Sequence, residues 1–250
     1  MLFDPLWIAI MVLSLVLGGI TQFYIKSTFK KYSKSGLARP ASGAQVAERT
    51  LRQSNLPIAQ NAAATTGNAF GKRPVNIARS THGKLSDHFD PRSNTVALSE
   101  VVYDKSNIAA AAVAAHEVGH AVQTAEAYLP SKIRSALVPV ANIGSQFSIF
   151  LIIGGIILAG TESVAGSFAA NLVWLGIALF ASAVLFQIVT LPVEFDASRR
   201  AMVLLRETGT LTATELPAAR KVLTAAALTY VAAALIAVLQ LMYWIGLARD

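Results

Sequence analysis

The sequence predicts an α-helical integral membrane protein with about four transmembrane helices and one long polar region, mostly α with a small β element. Three observations carry this. The chain of 250 residues is 54% hydrophobic and 14% charged, with a mean hydropathy of +0.52, which lies outside the soluble globular range. Four uncharged stretches, Leu6 to Ile25, Leu137 to Gly160, Phe168 to Leu191 and Val222 to Gly246, are each long enough to cross a hydrocarbon core as a helix. Between the first two lies the only long polar segment, residues 26 to 136.

The first stretch, LWIAIMVLSLVLGGITQFYI, is about 30 Å long as a helix. The preceding MLFDP has no positive charge and no small-x-small site precedes Lys26, so it reads as a retained anchor rather than a removed signal. Leu137 to Gln146 is less apolar than the rest of its span, which suits a place at the surface or against other protein.

Charge sets the orientation. Residues 26 to 136 and 192 to 221 hold 15 and 5 of the 21 Lys and Arg residues, leaving Arg249 alone opposite, so that side is expected to be cytoplasmic. Trp7, Trp174 and Trp244 then fall towards the other face, where indoles anchor at headgroups. The net charge of +7 is therefore a topology signal, and KSTFKKYSKSGLAR adds attraction to anionic lipid; a nucleic-acid partner loses its support. The expected organisation is an anchor over 1–25, a cytoplasmic region over 26–136, a transmembrane hairpin over 137–191, a cytoplasmic helical segment over 192–221 and a last span within 222–250.

All four histidines lie in the polar region. There, Ser42 with Gln45 forms a capping-box pattern before a short helix with Ala44, Ala47 and Leu51 on one face, ended by Asn55 and Pro57. PVNIA (74–78) and TVALS (95–99) read as strands, with DPRSN (90–94) supplying a turn. Ser106 or Asn107 can cap a helix from about Ile108 through Val122.

That helix carries AAVAAHEVGHAVQ. Ionisable groups among small apolar residues require partners. His116 and His120 are four residues apart, so both imidazoles lie on one face about one turn apart, the geometry of a two-histidine zinc clamp. Glu117 completes H-E-x-x-H, placed to take a proton from water without ligating the metal. Zinc lowers the pKa of water and polarises a peptide carbonyl, and a carboxylate moves the proton to the leaving amine. With no cysteine, every ligand must be His, Asp or Glu.

A catalytic zinc needs a third protein ligand. Glu126 stands where a metzincin-type motif puts its third histidine, but Gln123 occupies the position of that motif's turning glycine. His82 or His88 would have to fold back, and Glu162 lies across the membrane. Glu194 in LPVEFDASRRA is the better choice, since it follows the third span directly on the cytoplasmic side, with Pro192 placed to start a new helix.

The motifs LSDHFDPRSNTVALS, VAAHEVGHAVQ and LPVEFDASRRAMVLL, with four spans around them, resemble the bacterial membrane family of neutral zinc metallopeptidases, over nearly the whole chain. More distantly the chain is similar to the gluzincin-like clan of the heat-shock membrane zinc protease and the CAAX-prenyl endopeptidase. The resemblance implies a zincin-like catalytic region, one Zn2+ held by His116, His120 and Glu194, and Glu117 as general base. It implies a multi-pass protein of the bacterial inner membrane, with the bilayer and a protein or peptide substrate as partners. The distant clan has Glu-x-x-x-Asp; here Ser198 stands at the last position and the nearby acid is Asp196, leaving open which side chain orients a ligating histidine.

Other residues have plainer readings beside functional ones. Asp87, His88 and Asp90 shape the turn at Pro91 or assist an oxyanion. TVALS is an ordinary internal strand or an edge that pairs with substrate. Arg199 and Arg200 meet substrate carboxylates or lipid headgroups. Gly154, Gly155 and Gly160 are expected to let spans pack closely. The function expected is a membrane-bound zinc metalloendopeptidase acting at the cytoplasmic face. Its rivals are an intramembrane site-2-type protease, with the HEVGH helix itself spanning, and a zinc-stabilised scaffold or chaperone without catalysis.

Overall fold

The structure, a computed structural model, describes residues 4–59, 73–81, 83, 86–160 and 168–249. Its helices are α1 (Pro5–Tyr32), α2 (Gly43–Gln53), α3 (Glu100–Tyr103), α4 (Ile108–Ala125), α5 (Leu129–Ala159), α6 (Phe168–Glu207) and α7 (Leu216–Arg249). Its strands are β1 (Asn76–Arg79), β2 (His88–Asp90) and β3 (Thr95–Leu98). Among the described residues, α1, α5, α6 and α7 are the helices long and apolar enough to cross a membrane by length and composition. Each contains one of the four predicted apolar stretches and extends beyond it, apart from the last residue of the second stretch, Gly160.

The chain divides into two compact units. The first comprises Met1–Thr21, Lys132–Pro192 and Thr229–Asp250. Its buried core holds Ile10, Ile152, Val173, Ile177, Tyr243 and Trp244. Trp7 meets Tyr243 and Trp244 at ring-centroid distances of 5.0 and 4.8 Å, and Tyr243 donates from its hydroxyl to Asp4 at 3.1 Å. Helices α5 and α6 pack backbone to backbone where side chains are small. A Cβ on Gly144 would lie 2.3 Å from the Leu179 carbonyl oxygen, and one on Gly155 would lie 2.6 Å from Val173 Cγ2. Of the three glycines expected to permit such packing, Gly155 does so; Gly154 has nothing within 4 Å, and Gly160, at φ +61°, ends α5 instead.

The second unit comprises Gln22–Ser131 and Val193–Leu228. Ser42 and Gln45 form the expected capping box of α2. Asn107, rather than Ser106, caps α4 by accepting from the Ala110 amide at 2.9 Å, while Ser106 Oγ accepts from the Ala41 amide. The alanines of α4 at 109–112, 114 and 115 are fully buried in a core with Val46, Leu51, Val96, Leu98, Val102, Ala201 and Leu205. The apolar run before HEVGH is therefore covered by protein, and α4 is not among the helices suited to crossing a membrane.

The sheet order is β1-β3-β2, with β1 parallel and β2 antiparallel to β3. DPRSN turns as expected: Asp90 accepts from the Arg92 amide and Ser93 hydroxyl, and Asn94 takes a left-handed φ of +52°. The residues before it form a strand, β2, that three residues of mixed polarity did not announce. TVALS is thus the central strand with both edges occupied, which removes it as a free edge for substrate. A second correction concerns Pro192: α6 runs on to Glu207 with Pro192 inside it, so no new helix starts there. An interior proline forgoes one backbone hydrogen bond and crowds the carbonyl four residues back, a cost that helices of membrane proteins tolerate where neighbours re-satisfy the freed groups.

The glycine contacts give opposite expectations for neighbours. Gly155→Ala should lower the thermal unfolding midpoint in detergent, by about 1–3 kcal/mol of stability from overpacking. Gly154→Ala should leave it unchanged or raise it by up to about 1 kcal/mol through helix propensity. Equal effects would show that the α5–α6 contact is not close.

Candidate metal centre

Asn107 sets the start of α4, and from there two turns of alanine bring His116 and His120 onto one face, their ring centroids 4.7 Å apart. Glu194, beyond the apolar stretch of α6, reaches the same point. Its Oε2 lies 3.2 Å from His116 Nε2 and 3.6 Å from His120 Nε2. One ligand atom from each residue falls within 4.8 Å of the others, so the three could hold a metal ion. Two ligands at zinc bond lengths of 2.0–2.1 Å and a tetrahedral angle stand about 3.3 Å apart, which these separations match. The donor set, two neutral imidazole nitrogens and one carboxylate oxygen, is one that zinc favours.

The helices approach closely enough for this because Gly119 has no side chain. A Cβ there would lie 2.6 Å from the Ala197 carbonyl oxygen, one turn from Glu194 on α6.

The setting is dry. The Glu194 side chain is 4% exposed, and those of His116 and His120 are 13% and 15% exposed. Burial raises the Glu194 carboxyl, but hydrogen bonds and charge from His116 and His120 outweigh it and hold the group well below the carboxylate range. Burial lowers His120, yet Glu194 and Glu117 more than restore it, leaving it raised. Glu117 is raised, chiefly by burial, against the opposing pull of the two histidines.

Two residues touch the histidines from outside the ligand set; the sequence left the role of Ser198 open and gave Gln123 none. Ser198, at the position where the distant clan has an acid, places its hydroxyl 3.2 Å from His116 Nδ1. Gln123, one turn beyond His120 and fully buried, places Oε1 3.0 Å from His120 Nδ1. Its amide nitrogen donates to the Val193 carbonyl at 2.8 Å and to Asp196 Oδ2 at 3.0 Å. Asp196, itself buried, accepts from Arg199 and from Arg200 Nε at 2.5 Å, and Arg200 reaches Glu126 at 2.7 Å. The signals were spacing alone: Gln123 at His120 plus three and Ser198 at Glu194 plus four share the ligands' faces.

The remaining candidates fall elsewhere. Glu126 is the C-cap of α4 and pairs with Arg200, and Ala127 then turns the chain at φ +57°. Asp87 accepts from the amide and hydroxyl of Ser99 at the start of α3, and burial raises its carboxyl. His88 Nδ1 lies 2.8 Å from the Ser86 carbonyl oxygen. Arg199 and Arg200 serve Asp196. His82 and Glu162 lie outside the described residues.

Residues 7–249 match a family described as putative neutral zinc metallopeptidase. The chain is also 39% identical over 240 residues, 96% of its length and 95% of the other's, to a Bacillus subtilis (strain 168) protein named putative membrane protease YugP. No solved structure matches it.

The contact at Gly119 can be tested directly. Gly119→Ala should force α4 and α6 apart and lower bound zinc per chain in detergent. Gly36→Ala, with nothing within 4 Å, should leave it unchanged. Full retention in Gly119→Ala would mean that the separation of these helices does not govern the site.

Proposed function

Because the chain belongs to the putative neutral zinc metallopeptidase family, which implies Zn2+ as cofactor, we propose that it is a membrane-bound zinc metalloendopeptidase acting at the cytoplasmic membrane face. In this reading His116, His120 and Glu194 hold one zinc ion and Glu117 is the general base. The observation that carries it is the convergence of two imidazole nitrogens and Glu194 Oε2, with Glu117 buried beside them. Glu194 lies 74 residues beyond His120 along the chain, so this meeting is a product of the fold rather than of local helix geometry.

When bound, zinc supplies Lewis acidity, polarising the scissile carbonyl and lowering the pKa of water. The chain's own residues do the rest. Glu117 is next to His116 on α4 but is not in the converging set, which leaves its carboxylate to take a proton from the attacking water and deliver it to the leaving amine nitrogen. Its burial makes it a stronger base than an exposed glutamate, while the two imidazoles favour its ionised form.

Four long apolar helices and the membrane protease relative support a bilayer setting. The concentration of Lys and Arg in residues 26–136 and 192–221 supports a cytoplasmic site at the inner membrane, and the protease relative supports peptide bonds of membrane or membrane-adjacent proteins as substrates. The burial of α4 within protein favours this reading over one in which the HEVGH helix spans the bilayer.

Two measurements test the proposal. Glu117→Gln should retain about one zinc per chain and lose about 10²–10⁴-fold in peptide hydrolysis, whereas His116→Ala and Glu194→Ala should lose both. Unchanged function in a metal-loaded Glu117→Gln would indicate the non-catalytic scaffold instead. The chain has no cysteine, so Lys105→Cys and Lys132→Cys can be labelled singly with a membrane-impermeant thiol reagent. Both should react only from the cytoplasmic side; labelling from opposite sides would make α4 a span.

A further inference from the structure

The amide of Gln123 is held so that only one of its two orientations is possible. Both hydrogens on Nε2 are used, towards the Val193 carbonyl at 2.8 Å and Asp196 Oδ2 at 3.0 Å. Flipping the amide would set its oxygen against a carbonyl oxygen and a carboxylate in a fully buried position, leaving three acceptors facing one another. Oε1 therefore points to His120 Nδ1, 3.0 Å away. An oxygen of this kind only accepts, so at 3.0 Å it draws the neutral ring's single hydrogen to Nδ1, against the competing acceptor Glu194 Oε2, which stands farther off at 3.6 Å from Nε2. The protonated ring donates from both nitrogens, to Gln123 and to Glu194; the neutral ring is left with its lone pair on Nε2, the nitrogen that faces Glu194.

We infer that Gln123, backed by Asp196, is a positioning residue that locks His120 in its Nδ1–H tautomer and so aims Nε2 at the metal position. This deepens the zinc-site reading above and rests on it for its metal arm alone. Asp196 is secured in turn by Arg199 and Arg200, and Arg200 is tied to Glu126 at the end of α4. The ring is thus oriented from α6 through a neutral amide rather than by a carboxylate in direct contact. Ser198 cannot do the same for His116, because a hydroxyl donates or accepts with equal ease.

The test uses full-length protein in detergent, labelled with 15N at histidine, metal-free and at alkaline pH where the rings are neutral, with the His120 signal assigned by its loss in His120→Asn. Wild type should show His120 protonated at Nδ1. Gln123→Met, of similar length but without the acceptor, should shift the ring towards the Nε2–H form and lower zinc affinity, by chelator competition, by about 10–100-fold. Gln123→Glu should keep the Nδ1–H form, since its oxygen still accepts, while losing thermal stability beside Asp196 and the Val193 carbonyl. This arm separates tautomer control from packing.

Retention of both the Nδ1–H form and wild-type zinc affinity in Gln123→Met would overturn the inference, as would an Nε2–H ring in wild type. A wild type that shows the locked ring but takes up no zinc would overturn the metal site and leave the positioning role standing.

Discussion

The structure depends on keeping two carboxylates, Glu117 and Glu194, and two imidazoles inside a nearly dry interior. Each carboxylate would be costly there alone, since burial disfavours the charged form. Glu194 is compensated directly, with both imidazole Nε2 atoms at its Oε2, and its carboxyl is held down despite burial. Glu117 has no such direct partner among the described residues, and its carboxyl stays raised. One fold thus keeps one acid ionised and leaves its neighbour basic, which is the division of labour that a ligand and a proton-transfer group require.

Small residues make that interior possible. Alanines at 109–112, 114 and 115 let α4 be enclosed on all sides, and Gly119 lets the α6 backbone come to it at Ala197. A larger residue at 119 would meet the Ala197 backbone and push this part of α6, which carries Glu194, away from α4. Along HEVGH, His116 and His120 share one face of α4, and Gly119 leaves the helix bare where α6 approaches.

Much of this was legible in sequence because it is local. The H-E-x-x-H spacing, the Ser42 capping box and the four apolar stretches follow from periodicities of one helix at a time. The choice of Glu194 needed only its place after the third stretch. What failed to show was tertiary. Pro192 looks like a helix start, yet α6 runs through it. TVALS has no feature that separates an edge from a centre, since its neighbours β1 and β2 are set by pairing rather than by its own residues. Gln123 reads as one more polar residue on a helix until Val193 and Asp196 are brought against it.

Ser198 and Asp196 show how charge constrains the surroundings of such a centre. An acid at 198, touching His116 Nδ1, would place a further carboxylate against a ring already facing Glu194. A hydroxyl supplies the hydrogen bond without that charge. The nearby aspartate of α6, Asp196, lies on another face, where Arg199 and Arg200 neutralise it and burial is outweighed, so that its carboxyl is held low. Its influence reaches His120 only through the neutral amide of Gln123. The centre therefore receives orientation from an ion-pair network without its charge, and the apparent departure from a directly contacting acid becomes a different route to an ordered histidine.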